Sequence, residues 1–292
     1  MKNRKGIILA GGTGTRLHPV TLAVSKQLLP LYNKPMIYYP LSTLMLGEMR
    51  DILVITTPLD QPMFRRLLGE GEDFGIRLTY AVQKEPRGIA QALSIAEDYL
   101  DGAPSCLILG DNLFYGQGLG PRLRQANHQS EGATIFVTHV NDPEHYGVVE
   151  VDALGAPTSL QEKPRQPQSN LAITGLYFYD AQAPKLTQKL NPSPRGELEI
   201  TDLNRLYLDQ NQLNIEYLGR GHCWMDIGTH DRLAEAGQFV RTIESRQGLH
   251  IGCPEEIAWS HGWLDQARMK SAIAAHGGTT YGNYLKELVT KK

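Results

Sequence analysis

Short apolar runs alternate with amphipathic stretches through the first half of the chain. GIILA (6–10) reads as a buried strand, and DILVITT (51–57), RLTYAVQ (77–83), SCLILGD (105–111) and ATIFVTHV (133–140) continue the series. Between them, KPMIYYPLSTLMLG (34–47), QPMFRRLLGE (61–70), GIAQALSIAEDYL (88–100) and 119–130 carry helical spacing; the first opens on Pro35 and contains Pro40. Strands alternating with helices predict a parallel sheet covered on both faces. The second half differs. YGVVEVD (146–152), SLQEKP (159–164) and LAITGLYFYD (171–180) follow one another without helices. A helix near 200–210, a strand LNIEYLG (213–219) and a helix over 230–246 come next. From about 250 the pattern is mostly helical, with Trp259 and Trp263 on one helical face, as a packing or oligomer surface or as a ligand platform. The expected fold class is α/β: a mostly parallel mixed sheet flanked by helices, a β-rich lobe inserted on or continuing that sheet, and a helical C-terminal tail.

Composition narrows the function. A chain of 292 residues builds a sizeable core as one large domain or two smaller ones. A net charge of -2 supplies no field for nucleic acid or anionic membranes. No apolar run approaches the ~20 residues of a membrane span. The run IILA after the basic MKNRK is too short for a secretory signal, which needs roughly 7–15 apolar residues. Cys106, Cys223 and Cys253 form no CxxC pair, and no HExxH occurs, so neither a disulfide framework nor a zinc motif is expected. The expectation is a cytoplasmic protein without nucleic-acid or membrane partners.

The candidate chemistry starts at LAGGTGTRLHPVTLAVSKQLLP (9–30), which leaves the first strand at its carboxyl end, where open parallel sheets bind ligands. Gly11, Gly12 and Gly14 let backbone approach an anion and point several N–H groups at it. Arg16 and Lys26 supply positive charge. A tight βα turn with two solvated cations explains the same residues. The string is no P-loop, because no GK[ST] follows, and no dinucleotide fingerprint, because the sixth position from Gly12 is Leu17.

GGxGTRL followed by SKQLLP resembles the sugar-phosphate nucleotidylyltransferases, and within them the glucose-1-phosphate thymidylyltransferases. KPMIYYPLSTLML (34–46), LGDN (109–112), YGVVE (146–150), EKP (162–164), TGLYFYD (174–180), PRGELEITD (194–202), GTHD (228–231) and CPEEIAW (253–259) extend the likeness over nearly the whole chain. The resemblance implies a Rossmann-like catalytic domain over 1–240, with a nucleotide-binding part to about 140 and a sugar-phosphate-binding part over 141–240. Residues 241–292 would form a helical packing, oligomer or regulatory segment. It implies Mg2+-dependent synthesis of dTDP-glucose and diphosphate from dTTP and glucose 1-phosphate, by a homotetramer built as a dimer of dimers. It places Gly11, Gly12, Gly14, Thr15, Arg16, Lys26, Gln83, Gly88 and Asp111 at the nucleotide. Asn112, Gly147, Glu162, Lys163 and Tyr177 would hold the sugar phosphate, and Asp111 and Asp226 the metal. Arg16, Lys26 and Lys163 would be catalytic. Tyr115, Gly116, Arg220 and Glu256 match a second, regulatory nucleotide site.

The residues by themselves leave other readings open. Asp111-Asn112 fits an Asx-turn, Asp226 fits a cap for the helix near 230, EKP fits a charged surface strand, and Tyr177 fits a core. Three positions depart from the family pattern. Arg87 adds a cation beside the expected base pocket, with altered nucleotide preference as the consequence. Ile227 replaces a hydroxyl beside Asp226, and Ser260 replaces an arginine, which weakens the expected feedback inhibition. A uridylyltransferase and a catalytically silent nucleotide-sugar sensor are the competing functions; the presence of both carboxylates opposes the sensor.

Overall fold

The computed structural model describes residues 2–290. Its first half yields β1 (Lys5–Ala10), the short ribbon β2 (Pro30–Leu31) and β3 (Lys34–Pro35), then β4 (Asp51–Thr56), β5 (Arg77–Val82), β6 (Ser105–Leu109) and β7 (Asn112–Gly116). The helices α1 (Tyr38–Leu46), α2 (Gln61–Leu68), α3 (Gln91–Ile95), α4 (Glu97–Leu100) and α5 (Leu119–His128) lie between these strands or follow them. The second half adds β8 (Ala133–His139), β9 (Gly147–Val151), β10 (Pro157–Glu162), β11 (Leu171–Tyr179), β12 (Leu213–Tyr217) and β13 (His222–Asp226). Its helices are α6 (Ala183–Thr187), α7 (Ile200–Asp209), α8 (His230–Gln247), α9 (Pro254–Ser260), α10 (Gln266–His276) and α11 (Thr280–Thr290).

The apolar run of β1 is explained by its place. It pairs in parallel with β4 on one side and β6 on the other, so both of its faces are covered. Ile7 faces one apolar layer and Ile8 the other, and both are fully buried. Each such side chain contributes about 1.5–3 kcal/mol relative to exposure. The sheet runs β5-β4-β1-β6-β11, continues through β8 to β12, and carries the β9–β10 hairpin on the first half of β11. The β-rich half therefore continues the first sheet. Strand β11 is antiparallel to β6 and β8, and its register shifts between Ile173 and Tyr177.

Several boundaries differ from the sequence pattern. The helix expected over 34–47 starts at Tyr38, because Lys34 and Pro35 pair with β2. Pro40 sits at its third position, where the missing N–H has no intrahelical partner in any case. The helix expected over 88–100 is two short helices, and Gly88 precedes them at φ +101°. The strand expected to end at Asp111 ends at Leu109, and a new strand begins at Asn112. Strand β12 ends at Tyr217, two residues early. Helix α9 ends at Ser260, so Trp259 and Trp263 do not share a helical face, although both pack on the same apolar layer. Arg50 lies over the Trp263 ring at 5.1 Å. No helix among the described residues is long and apolar enough to cross a membrane.

Candidate active site

Parallel pairing brings the carboxyl ends of β1, β4, β5 and β6 to one level, with Leu9 opposite Leu109 and Ala10 opposite Thr56. Gly11, Gln83 and Asp111 leave the sheet there. A cavity of about 660 Å3 opens above this edge. Gly12, Arg16, Lys26, Gln83, Gly88, Asp111, Asn112, Gly147, Glu162, Lys163, Tyr177 and Asp226 all line it. Gly11, Gly14 and Thr15, expected at the nucleotide, are not on its wall.

The glycines have separate reasons. A Cβ on Gly11 would lie 2.4 Å from Gln83 Oε1, so Gly11 makes room for the amide. Gln83 Nε2 donates to Gln91 Oε1 at 2.7 Å, which fixes that amide at the cavity wall. A Cβ on Gly12 would meet nothing within 4 Å, so its open side faces ligand space. Gly14 adopts φ +64°, the left-handed turn that starts the one-turn helix holding Arg16. A Cβ on Gly228 would lie 2.8 Å from an Arg16 guanidinium nitrogen, so the GTHD glycine lets that side chain lie across it. Gly88 cannot carry a side chain at all: the Leu198 carbonyl would be 2.3 Å from it.

The two candidate metal carboxylates meet through a ribbon that the sequence pattern did not reveal. Strands β7 and β13 pair antiparallel, with Asn112 opposite Asp226, and Ile227 N donates to Asp111 O at 2.9 Å. Lys26 pairs with Asp111, which also accepts from Asn112 Nδ2 at 2.9 Å. Burial is the largest influence on Asp111 and raises its pKa. The Lys26 ammonium and the hydrogen bonds together outweigh it, and Asp111 lies below the ordinary carboxylate value. Asp226 goes the other way: burial first, then the Asp111 charge, raise it, against Arg232 and Arg16. Two carboxylates that repel across one cavity have the chemistry of a divalent-cation site. Among the described residues no third acid, histidine or cysteine completes a metal-sized cluster. An ion such as Mg2+ takes one or two carboxylates and fills its remaining positions with water and phosphate oxygens. The helix cap suggested for Asp226 belongs instead to Thr229, whose hydroxyl accepts from Arg232 N.

Opposite these acids, Glu162 ends β10. Its carboxylate accepts from Thr201 Oγ1 at 2.5 Å, and Arg195 stands 3.6 Å away. A Cβ on Gly147 would press on both Thr201 and Glu162. Lys163 sits in the left-handed region at φ +42°, held by its N–H to Tyr146 O at 3.0 Å. A non-glycine residue there costs on the order of 1–2 kcal/mol. The conformation leaves the ammonium nearly half exposed at the cavity, 3.7 Å from Glu162. Tyr177 lines the cavity yet is buried, with its ring stacked 6.2 Å from Tyr179.

Thr201, Trp224 and Arg232 also line this cavity and were not singled out from the sequence. Trp224 had a signal: two residues before Asp226 on one strand, it shares that residue's face. Its indole donates to Asn112 Oδ1 at 2.6 Å. Thr201 lay within the quoted PRGELEITD string without being singled out; Arg232 had no signal, since only packing of α8 brings it in.

The three departures resolve differently. The Arg87 guanidinium turns to Glu85, at 2.8 and 2.5 Å, and is absent from the cavity wall. In this arrangement its charge pairs with an exposed neighbour beside the expected base pocket. Arg87→Ala is expected to leave the dTTP-to-UTP turnover ratio within about threefold, the size of a surface pair; a tenfold change in that ratio would return Arg87 to the base pocket. Ile227 is fully buried among Leu31, Leu113 and Val240, in an apolar cluster apart from the two candidate metal carboxylates. Tyr115 and Gly116, expected at a second site, lie at one end of the β7–β13 ribbon, with exposed Arg220 in the turn before β13. Tyr115 donates to Gln247 at 2.8 Å, while Glu256 is half-buried on α9. Ser260 donates to Ile257 O at 2.8 Å.

The chain is similar to known proteins over most of its length. The family model described as nucleotidyl transferase matches residues 5–243. A glucose-1-phosphate thymidylyltransferase of Xanthomonas campestris pv. campestris is 55% identical over 291 residues, covering 100% of this chain and 99% of its own. One from Mycobacterium tuberculosis is 51% identical over 287 residues, covering 98% and 99%. A crystal structure described as a Bacillus anthracis glucose-1-phosphate thymidylyltransferase in complex with a sucrose superposes with TM-score 0.76 at 40% identity, over 82% of this chain and 95% of that one. A UDP-glucose pyrophosphorylase complexed with UDP-glucose shares the fold, with TM-score 0.73 at 21% identity over 83% of this chain and all of its own.

Proposed function

The chain belongs to the nucleotidyl transferase family, and from that premise we propose that it converts dTTP and α-D-glucose 1-phosphate to dTDP-glucose and diphosphate. The observation that carries this reading is the one cavity on which Gly12, Arg16, Lys26, the carboxylates Asp111 and Asp226, and the Glu162–Lys163 pair converge. The full-length likeness to thymidylyltransferases supports the choice of base and sugar.

In this reading a phosphate oxygen of the sugar phosphate attacks the α-phosphorus of dTTP, and diphosphate leaves in line. The nucleophile is already ionised near neutral pH, so the protein's task is positioning and charge neutralisation. Gly12, whose open side faces the cavity, admits the triphosphate, and Arg16 stabilises the charge that collects on the leaving diphosphate. Lys26 lies beside Asp111 and offers its charge near the α-phosphate. Lys163 holds the incoming phosphate while Glu162, fixed by Thr201, accepts from sugar hydroxyls. Gln83 presents an amide to the base edge. Asp111 and Asp226 are the residues to hold Mg2+, whose chemistry when bound is to neutralise phosphate charge.

A homotetramer, a cytoplasmic location and a division near 240 into catalytic and C-terminal parts belong to the same reading; sedimentation velocity tests the first. The deciding experiment incubates the purified protein with Mg2+, glucose 1-phosphate and either dTTP or UTP, and quantifies sugar nucleotide by chromatography. Faster product from dTTP is expected. Faster product from UTP would transfer the assignment to uridylyl transfer, and no product with either would remove the enzymatic reading. Lys163→Ala is expected to raise KM for glucose 1-phosphate about 10- to 100-fold, the worth of one charge-assisted contact. An unchanged KM would refute its role.

A further inference from the structure

Arg232 is an unusual residue for its position. It occupies the first turn of α8, where a cation opposes the helix dipole. Two carboxylates and an aromatic ring hold it there. One guanidinium nitrogen pairs with Asp226, another with Asp142 Oδ2 at 2.8 Å, and the carbon lies 5.4 Å from the Tyr146 ring centroid. Tyr146 packs edge-on against Trp224 at 5.1 Å, and Trp224 in turn holds Asn112 beside Asp111. Lys26 and Arg232 thus each neutralise one of the two acids in the cavity.

We infer that Arg232 is a displaceable counter-ion that keeps free divalent cation off Asp226, so that the metal enters with the nucleotide rather than before it. The inference rests on the reading of Asp226 as a metal carboxylate. With both acids paired, a lone divalent cation meets a site without net negative charge. A nucleotide-borne cation brings its own anion, and the triphosphate compensates the cations on the wall. Asp142 and the Tyr146 face retain the guanidinium once Asp226 is released. Arg232 is a positioning residue: it acts through Asp226, and it also links α8 to the loop between β8 and β9.

The test is Mn2+ binding to the full chain without nucleotide, read from the free-Mn2+ electron paramagnetic resonance signal. Arg232→Gln is expected to tighten Mn2+ binding at least ~10-fold, the order expected from removing a unit charge in a partly buried site. Arg232→Lys is expected to leave it weak, and Asp226→Asn in the Arg232→Gln background to cancel the gain. Circular dichroism verifies that each variant is folded, and the Lys variant supplies the test if the Gln variant is not: tightening there overturns the inference. Unchanged Mn2+ affinity in folded Arg232→Gln also overturns it. The reading beneath it is measured separately, by Mn2+ binding to Asp226→Asn with dTTP present. Weaker binding there, beside an unchanged Arg232→Gln, rejects the inference alone. Unaltered binding there rejects the reading of Asp226 and the inference together.

Discussion

Asp111→Asn is expected to lower kcat by about 1000-fold or more while the protein still folds. The substitution keeps shape and removes charge. It takes one of two carboxylates from the proposed metal site and releases Lys26 from its ion pair. Loss of a single preorganised electrostatic contact typically costs 100- to 1000-fold, and here a metal ligand and the setting of a lysine go together. The fold persists because the backbone carbonyl of Asp111, not its side chain, receives Ile227 N. Lys26 lines an open cavity, where water can take the place of its partner. The measurement is kcat at saturating substrates and limiting Mg2+, with far-ultraviolet circular dichroism alongside. Near-normal turnover at limiting Mg2+ would remove Asp111 from the site.

Glu244→Ala is expected to destabilise the protein by about 3–5 kcal/mol, the usual cost of leaving one partner of a buried ion pair alone. Glu244 on α8 receives Lys34 Nζ at 2.8 Å, Asn33 Nδ2 at 2.7 Å and Ile251 N at 2.9 Å. Lys34 is only 4% exposed, and burial lowers its pKa against the pull of Glu244. Without Glu244 the buried ammonium keeps Asn33 Oδ1 at 2.6 Å but loses the carboxylate it is paired with. The pair also ties the β2–β3 ribbon to the start of the C-terminal helices. In a chain of this size the loss corresponds to a Tm lowered by roughly 10 °C. The second change Lys34→Met should restore much of it, because an apolar side chain has no charge to desolvate. A fall below about 2 °C in the single variant, or no recovery in the double, would show that the pair is not what holds this corner.

The sheet and its binding edge were legible because periodicity reports burial directly. A run such as GIILA has one stable place, between two parallel neighbours, and its carboxyl end marks the ligand edge. The glycine turn, Arg16, Lys26 and Asp111 were legible for the same reason, since each leaves or follows a strand at that edge. The ribbon of β7 and β13 was not. Each strand is five residues long, lies off the main sheet, and pairs with a segment more than a hundred positions away. Nothing in either segment alone announces the other. The ribbon nonetheless brings Asp111 and Asp226 together.

By itself, then, the order of residues determined which segments are strands of the main sheet, where that sheet ends in glycine and charge, and which chemistry those residue types suit. Only the tertiary structure decided how the charges are shared. It spends Arg87 on Glu85, turns Ile227 into the apolar layer, gives the α8 cap to Thr229, and places Arg232 against Asp226. Secondary structure follows from local burial periodicity, which a sequence carries. The partner of a charged side chain depends on distances between remote segments, which exist only once the chain has packed.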